Sequence, residues 1–169
     1  AKAVEYQTQY DFEPSYPNIK KFLLENFNTD NDFFIKDMAY HCWEYIQNDF
    51  DWLMDSIPVF LIRDPKKAIA SNYAMNADLQ FEEVGYERLW DLYDYYISKK
   101  IEPLVLRSEC LQTDPLKTFR LFEKHCHLEH NPEALEWKKE APSSWKAWGK
   151  WHREAAESKK IEKKEKKYK

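Results

Sequence analysis

Two short runs, "PVFLIR" at 58–63 and "PLVLR" at 103–107, constrain this chain more than any other feature. Each is apolar on consecutive residues, without polar alternation, and each ends in an arginine. Strands of that kind belong to a parallel sheet covered on both faces, because a sheet wetted on one side alternates. A third run, "FFIK" at 33–36, predicts another strand ending in a cation, Lys36.

Helical patterns lie between and around these runs. Ile19, Phe22, Leu23 and Phe27 share one face of a segment over 17–27, and Trp43, Ile46, Phe50 and Leu53 share one over 39–54. Leu89, Tyr93, Tyr96 and Ile97 recur at helical spacing over 82–98. Asp114-Pro115 opens a further helix, with Asp as cap and Pro at the first helical position. A last helix is expected from about Ser143 into the tail, capped by Ser143 or Ser144. Strands alternating with helices predict an α/β fold, a small parallel sheet flanked by helices with right-handed crossovers.

At 169 residues, 43% of them hydrophobic and 17% aromatic, the chain is long and apolar enough for one packed domain, which excludes a disordered chain. We expect that domain over 1–157 and a basic tail over 158–169, where seven Lys stand against two Glu. The net charge of −4 then leaves an acidic body, which argues against nucleic acid as the partner. Three cysteines, none in a CxxC pair, fit reduced thiols and a cytoplasmic setting. No run approaches the roughly 18 apolar residues of a membrane span, and no signal-peptide pattern opens the chain. "EKHCHLEH" at 123–130 groups His125, Cys126, His127 and His130, but the spacing fits no zinc pattern. It is expected to be a helix terminus, and no metal is expected.

The ends of the strands carry the functional signal. Ligands of open parallel sheets sit beyond the carboxyl ends of the strands. There the sequence puts Lys36-Asp37, Arg63-Asp64 and Arg107-Ser108, so three cations converge where a polyanion would bind. A guanidinium offers a planar fork suited to phosphate, and a helix opening at Pro65 would aim its positive end at the same spot. Lys66 and Lys67 add charge, and Ser71 a hydroxyl two turns on. The alternative is an arginine that ends a strand and pairs with Asp64 or another acid.

"FLIRDPKKAIASNY" resembles the 3′-phosphate-binding segment of the sulfotransferases, enzymes of the P-loop nucleotide-binding superfold that use 3′-phosphoadenosine 5′-phosphosulfate. In that family an Arg closes the strand and a Ser eight residues later joins it on the donor's 3′-phosphate; Arg63 and Ser71 match. "FFIKDMAYH", "FEEVGYERLWDLYDYY" and "SSWKAWGKWHREAAE" follow the family's order, so the likeness spans about 33–157. It implies sulfuryl transfer to a hydroxyl or amine of an acceptor that the sequence leaves unidentified. It also implies that Lys36 stabilises charge at the transferred group, and that Trp145 and Lys146 approach the donor. In the better-known cytosolic branch a His follows the Lys by two residues; here Met38 stands at that position. His41, with Asp37 beside it, is the candidate base, and Asp37 is either a base itself or a helix cap.

The family's first strand and its Gly- and Ser/Thr-containing loop for the 5′-phosphosulfate have no counterpart here. "EPSYPNIKKF" is the nearest stretch and holds no Gly. Either the sequence starts after that loop, which the abrupt beginning without Met favours, or the chain is a non-catalytic relative that keeps the fold as a binding or interaction module. A nucleotide kinase is disfavoured, since no GxxxxGK[ST] pattern occurs.

Overall fold

A computed structural model of the protein describes residues 15–26, 34–137 and 149–161. Within them seven α-helices accompany two strands, β1 (Val59–Ile62) and β2 (Leu104–Arg107), that pair in parallel with Val59 opposite Leu104 and Ile62 opposite Arg107. The expected α/β class and parallel pairing are both present. The helices are α1 (Tyr16–Asn26), α2 (Ala39–Ile46), α3 (Pro65–Met75), α4 (Tyr86–Ser98), α5 (Ser108–Thr113), α6 (Pro115–His125) and α7 (Gly149–Ala156).

The core is largely aromatic. Phe50, Phe60 and Tyr96 are buried with Ala39, Ile46, Leu53 and Leu92 in one cluster from α2, the turn that follows it, β1 and α4. Phe60 stands edge-on to Tyr93 and Tyr96, and Phe50 edge-on to Tyr95 and Tyr96, the quadrupole-favoured geometry. The Tyr96 hydroxyl is satisfied at 3.2 Å by the Ser56 hydroxyl. At the other end of the cluster, α1 is tied down where Lys20 Nζ meets the Asp49 carboxylate at 2.6 Å and Trp52 Nε1 donates to Tyr16 Oη at 2.9 Å.

Four expectations need correction. The 33–36 run is no strand over its described part: residues 34–38 have no ladder partner among the described residues, and Phe34 is 78% exposed. A short apolar run becomes a strand only where another strand takes its backbone groups. The sheet is also less covered than consecutive apolar residues imply. Tyr93 and Tyr96 cover Phe60, but Leu61, on the opposite face of the pleat, is 57% exposed.

The 39–54 helix stops at Ile46. Asn48 Nδ2 donates to the Glu44 carbonyl at 2.8 Å, a local bond that competes with the helical ladder, and a 3-10 turn at Asp51–Leu53 follows. The 82–98 helix breaks at Gly85, whose φ of +77° closes a 3-10 turn, Glu82–Val84, before α4 begins. Ser143 and Ser144, the expected caps of the last helix, lie outside the described residues.

The 123–130 segment is the expected helix terminus, and α6 ends at His125. Glu123, buried, accepts the Asn131 N–H at 2.6 Å through one oxygen and meets His130 Nδ1 at 2.7 Å through the other. Burial pushes its carboxyl up, but the Asn131 N–H, His130 and Arg120 outweigh that and hold it below the ordinary carboxylate value. A group depressed in the folded state contributes stability above its unfolded pKa, and the contribution fades as pH falls through the folded value. Glu123→Ala is therefore expected to lower Tm at pH 7 and to lower it less at pH 3, read by thermal melts. An equal loss at both values would mean the carboxylate charge is irrelevant.

Candidate functional site

The parallel register brings the two strand-end arginines to one edge, with Arg63 one residue beyond the position opposite Arg107. Ile62 is opposite Arg107, so Arg63 and Arg107 leave adjacent strands at the same carboxyl edge. Asp64 follows Arg63 as the cap of α3, its side chain accepting the Lys67 N–H at 3.0 Å, with Pro65 first in the helix. The expected Asp-Pro helix start is present. It also changes the electrostatics: Pro65 has no N–H, and that of Lys67 already serves a carboxylate. An anion at this edge depends on arginine side chains more than on helix amides.

Tyr86 and Glu109 were not among the residues anticipated at this edge. Tyr86, the first residue of α4, donates its hydroxyl to the Arg63 carbonyl at 2.6 Å. Burial, then the nearby Asp64 and Glu109 charges, push its phenol up, so it stays protonated and donates. Glu109, from α5, accepts the Asp64 N–H at 3.0 Å with one oxygen. Its other oxygen is buried without a hydrogen bond, 4.0 Å from Arg107 Nε. The Asp64 N–H above all, with Arg107 and Lys67 behind it, holds the Glu109 carboxyl below the usual range despite partial burial. An acid two residues beyond a strand-end arginine was the available signal for Glu109. Tyr86 follows the chain's only glycine before Gly149, a turn signal pointing to the same edge.

Ser71 lies on the half-buried face of α3 with Ala68, Asn72 and Met75. It stands seven positions past Asp64, about 10 Å along the axis at 1.5 Å per residue. Lys36, Asp37 and His41 are all exposed, in the extended segment and first turn of α2. That segment is held at both ends. Phe34 packs edge-on to Phe122 of α6, and a Cβ on Gly85 would meet Tyr40 Cδ1 at 3.2 Å. Tyr40 of the Lys36–His41 stretch and Arg63 thus neighbour adjacent residues, Gly85 and Tyr86, at the head of α4. Asp37 Oδ1 accepts the adjacent Met38 N–H at 2.7 Å and lies 3.6 Å from His41 Nδ1, within ionic range of the imidazole; the expected capping role is not met, since α2 has Met38 as its N-cap and no side-chain bond there. Trp145 and Lys146 lie outside the described residues.

Of the tyrosines at helical spacing, Tyr93 and Tyr96 belong to the core, whereas Tyr73 is exposed. All three cysteines are free, and burial pushes the Cys42 thiol up to about 11. Among the described residues no group of three or more His, Cys, Asp or Glu is arranged to hold a metal ion, and no helix is long and apolar enough to cross a membrane.

A small parallel sheet whose carboxyl edge carries two arginines, with a helix starting at the same point, is an α/β arrangement consistent with the sulfotransferase type. A sequence profile described as "Sulfotransferase domain" matches residues 18–165, most of the chain, and the protein belongs to that family. No curated protein and no solved structure matches the chain.

Proposed function

We propose that this protein binds 3′-phosphoadenosine 5′-phosphosulfate at the carboxyl edge of β1 and β2 and transfers its sulfuryl group to a hydroxyl or amine of a small-molecule acceptor. The observation that carries the reading is the strand–Arg63–Asp64–α3 junction, beside Arg107 and within a sulfotransferase domain. Arg63 and Ser71 hold the 3′-phosphate, and Trp145 and Lys146 complete the nucleotide site. Lys36 balances charge at the sulfuryl group and its bridging oxygen, and His41, or Asp37 beside it, takes the acceptor's proton. The chemistry needs no metal.

The first test is calorimetric titration with 3′,5′-diphosphoadenosine beside 5′-adenylate. Preference for the nucleotide bearing the 3′-phosphate supports the reading. A folded chain that binds neither favours an interaction module built on the same fold.

Lys36 separates chemistry from binding. Lys36→Ala is expected to lower kcat about 10²-fold, the order lost when one transition-state charge partner is removed, with diphosphoadenosine affinity changed by less than about threefold. Single-turnover transfer from radiolabelled donor gives the first quantity and calorimetry the second. Unchanged kcat would remove Lys36 from the site.

A further inference from the structure

We propose that Tyr86 and Glu109 are positioning residues that grip the Arg63–Asp64 peptide from both sides and so aim the Arg63 guanidinium at the donor's 3′-phosphate. The proposal rests on reading Arg63 as a phosphate ligand; the grip itself is a matter of geometry.

The Arg63 carbonyl and the Asp64 N–H are the two polar groups of a single peptide unit. Where a strand runs into a helix at a sheet edge, such groups commonly turn to water. Here each is taken by a side chain from a different element: Tyr86 Oη at 2.6 Å and Glu109 Oε1 at 3.0 Å. Holding that peptide plane fixes ψ of Arg63 and φ of Asp64. Those torsions set where the Arg63 side chain departs and whether α3 can begin, and Asp64 sits at φ −50°, ψ 122°.

Arginine carries much rotamer freedom, so an anchored backbone beneath it lowers what a ligand must order. The sign of Glu109 sharpens the argument. A carboxylate beside an anion site repels the ligand. Its contribution to the grip is therefore the hydrogen bond it accepts, rather than its charge. A glutamine retains the acceptor and removes the repulsion.

Two measurements on the same variants test this. The first is exchange of the Asp64 amide proton, read by NMR without ligand. We expect protection in the wild type and in Glu109→Gln, and exchange about tenfold faster in Glu109→Ala, the equivalent of one hydrogen bond. The second is the ratio of affinities for 3′,5′-diphosphoadenosine and 5′-adenylate. It should fall about tenfold in Glu109→Ala, fall severalfold in Tyr86→Phe, and hold or rise in Glu109→Gln. Rescue by glutamine separates a positioning role from general loss of fold.

An Asp64 amide indifferent to Glu109→Ala overturns the grip. Faster exchange with an unchanged ratio overturns its role in aiming Arg63. If the wild type shows no preference for the 3′-phosphate, or Arg63→Ala leaves that preference intact, the phosphate reading itself fails, and the exchange measurement still reports separately on the grip.

Discussion

Replacing Arg63 by alanine is expected to weaken 3′,5′-diphosphoadenosine binding about 10²-fold while changing 5′-adenylate binding by no more than about threefold. Truncating one partner of a close charge pair costs about 2–5 kcal/mol, and a phosphate–guanidinium contact at a partly open edge belongs near the lower end. The selectivity is the informative part. Arg63 directly follows β1 at the start of α3, and the first turn of that helix has few amides to offer in its place. Calorimetry on both nucleotides with both proteins decides it. Equal losses for the two nucleotides would show that Arg63 supports the fold and does not read the phosphate.

Phe60→Ala is expected to have the largest effect on stability. Phe60 is 6% exposed and its ring meets Tyr93 and Tyr96 edge-on, joining β1 to α4 at the centre of the core. A Phe-to-Ala change in such a place costs about 3–5 kcal/mol, a large part of the roughly 5–15 kcal/mol that stabilises a typical domain. For a chain of this size that corresponds to a Tm lower by roughly 10 °C. Leu61→Ala, one residue along and on the exposed face, should cost no more than about 0.5 kcal/mol. Chemical denaturation of both variants checks the pair. Similar losses would mean that the two faces of β1 are equally packed.

The parts of the fold that depend on local chemistry were legible in the sequence. The two apolar runs that end in arginine became β1 and β2, and Asp64-Pro65 and Asp114-Pro115 opened α3 and α6 with the capping bonds their side chains predict. The misjudged parts depended on choices that the apolar pattern does not show. Whether 34–36 is a strand turns on a neighbouring strand that no local pattern announces. The early stop of α2 turns on an Asn48 side chain choosing the Glu44 carbonyl.

The candidate site divides the same way. Arg63 and Lys36 could be picked out as cations after apolar runs, and Ser71 through the family resemblance; their roles are part of the proposed function. Tyr86 and Glu109 could not, because their relation to Arg63 exists only once α4 and α5 fold against the strand. Gly85 was visible as a rare glycine, but its left-handed turn and its closeness to Tyr40 were not.

The grip on the Arg63–Asp64 peptide also bears on how the protein reaches its native state. Its two hydrogen bonds join residues 23 and 45 positions apart, and the β1–β2 ladder closes over the same span, enclosing α3 and α4. Contacts of such long sequence separation carry a loop-closure cost before they return any stability, whereas the helices between them form from near neighbours. The edge where β1 and β2 end is thus assembled by interactions of long sequence separation. On the proposed reading, a nucleotide bound there would favour the fully assembled state by mass action, linking occupancy to completion of the fold.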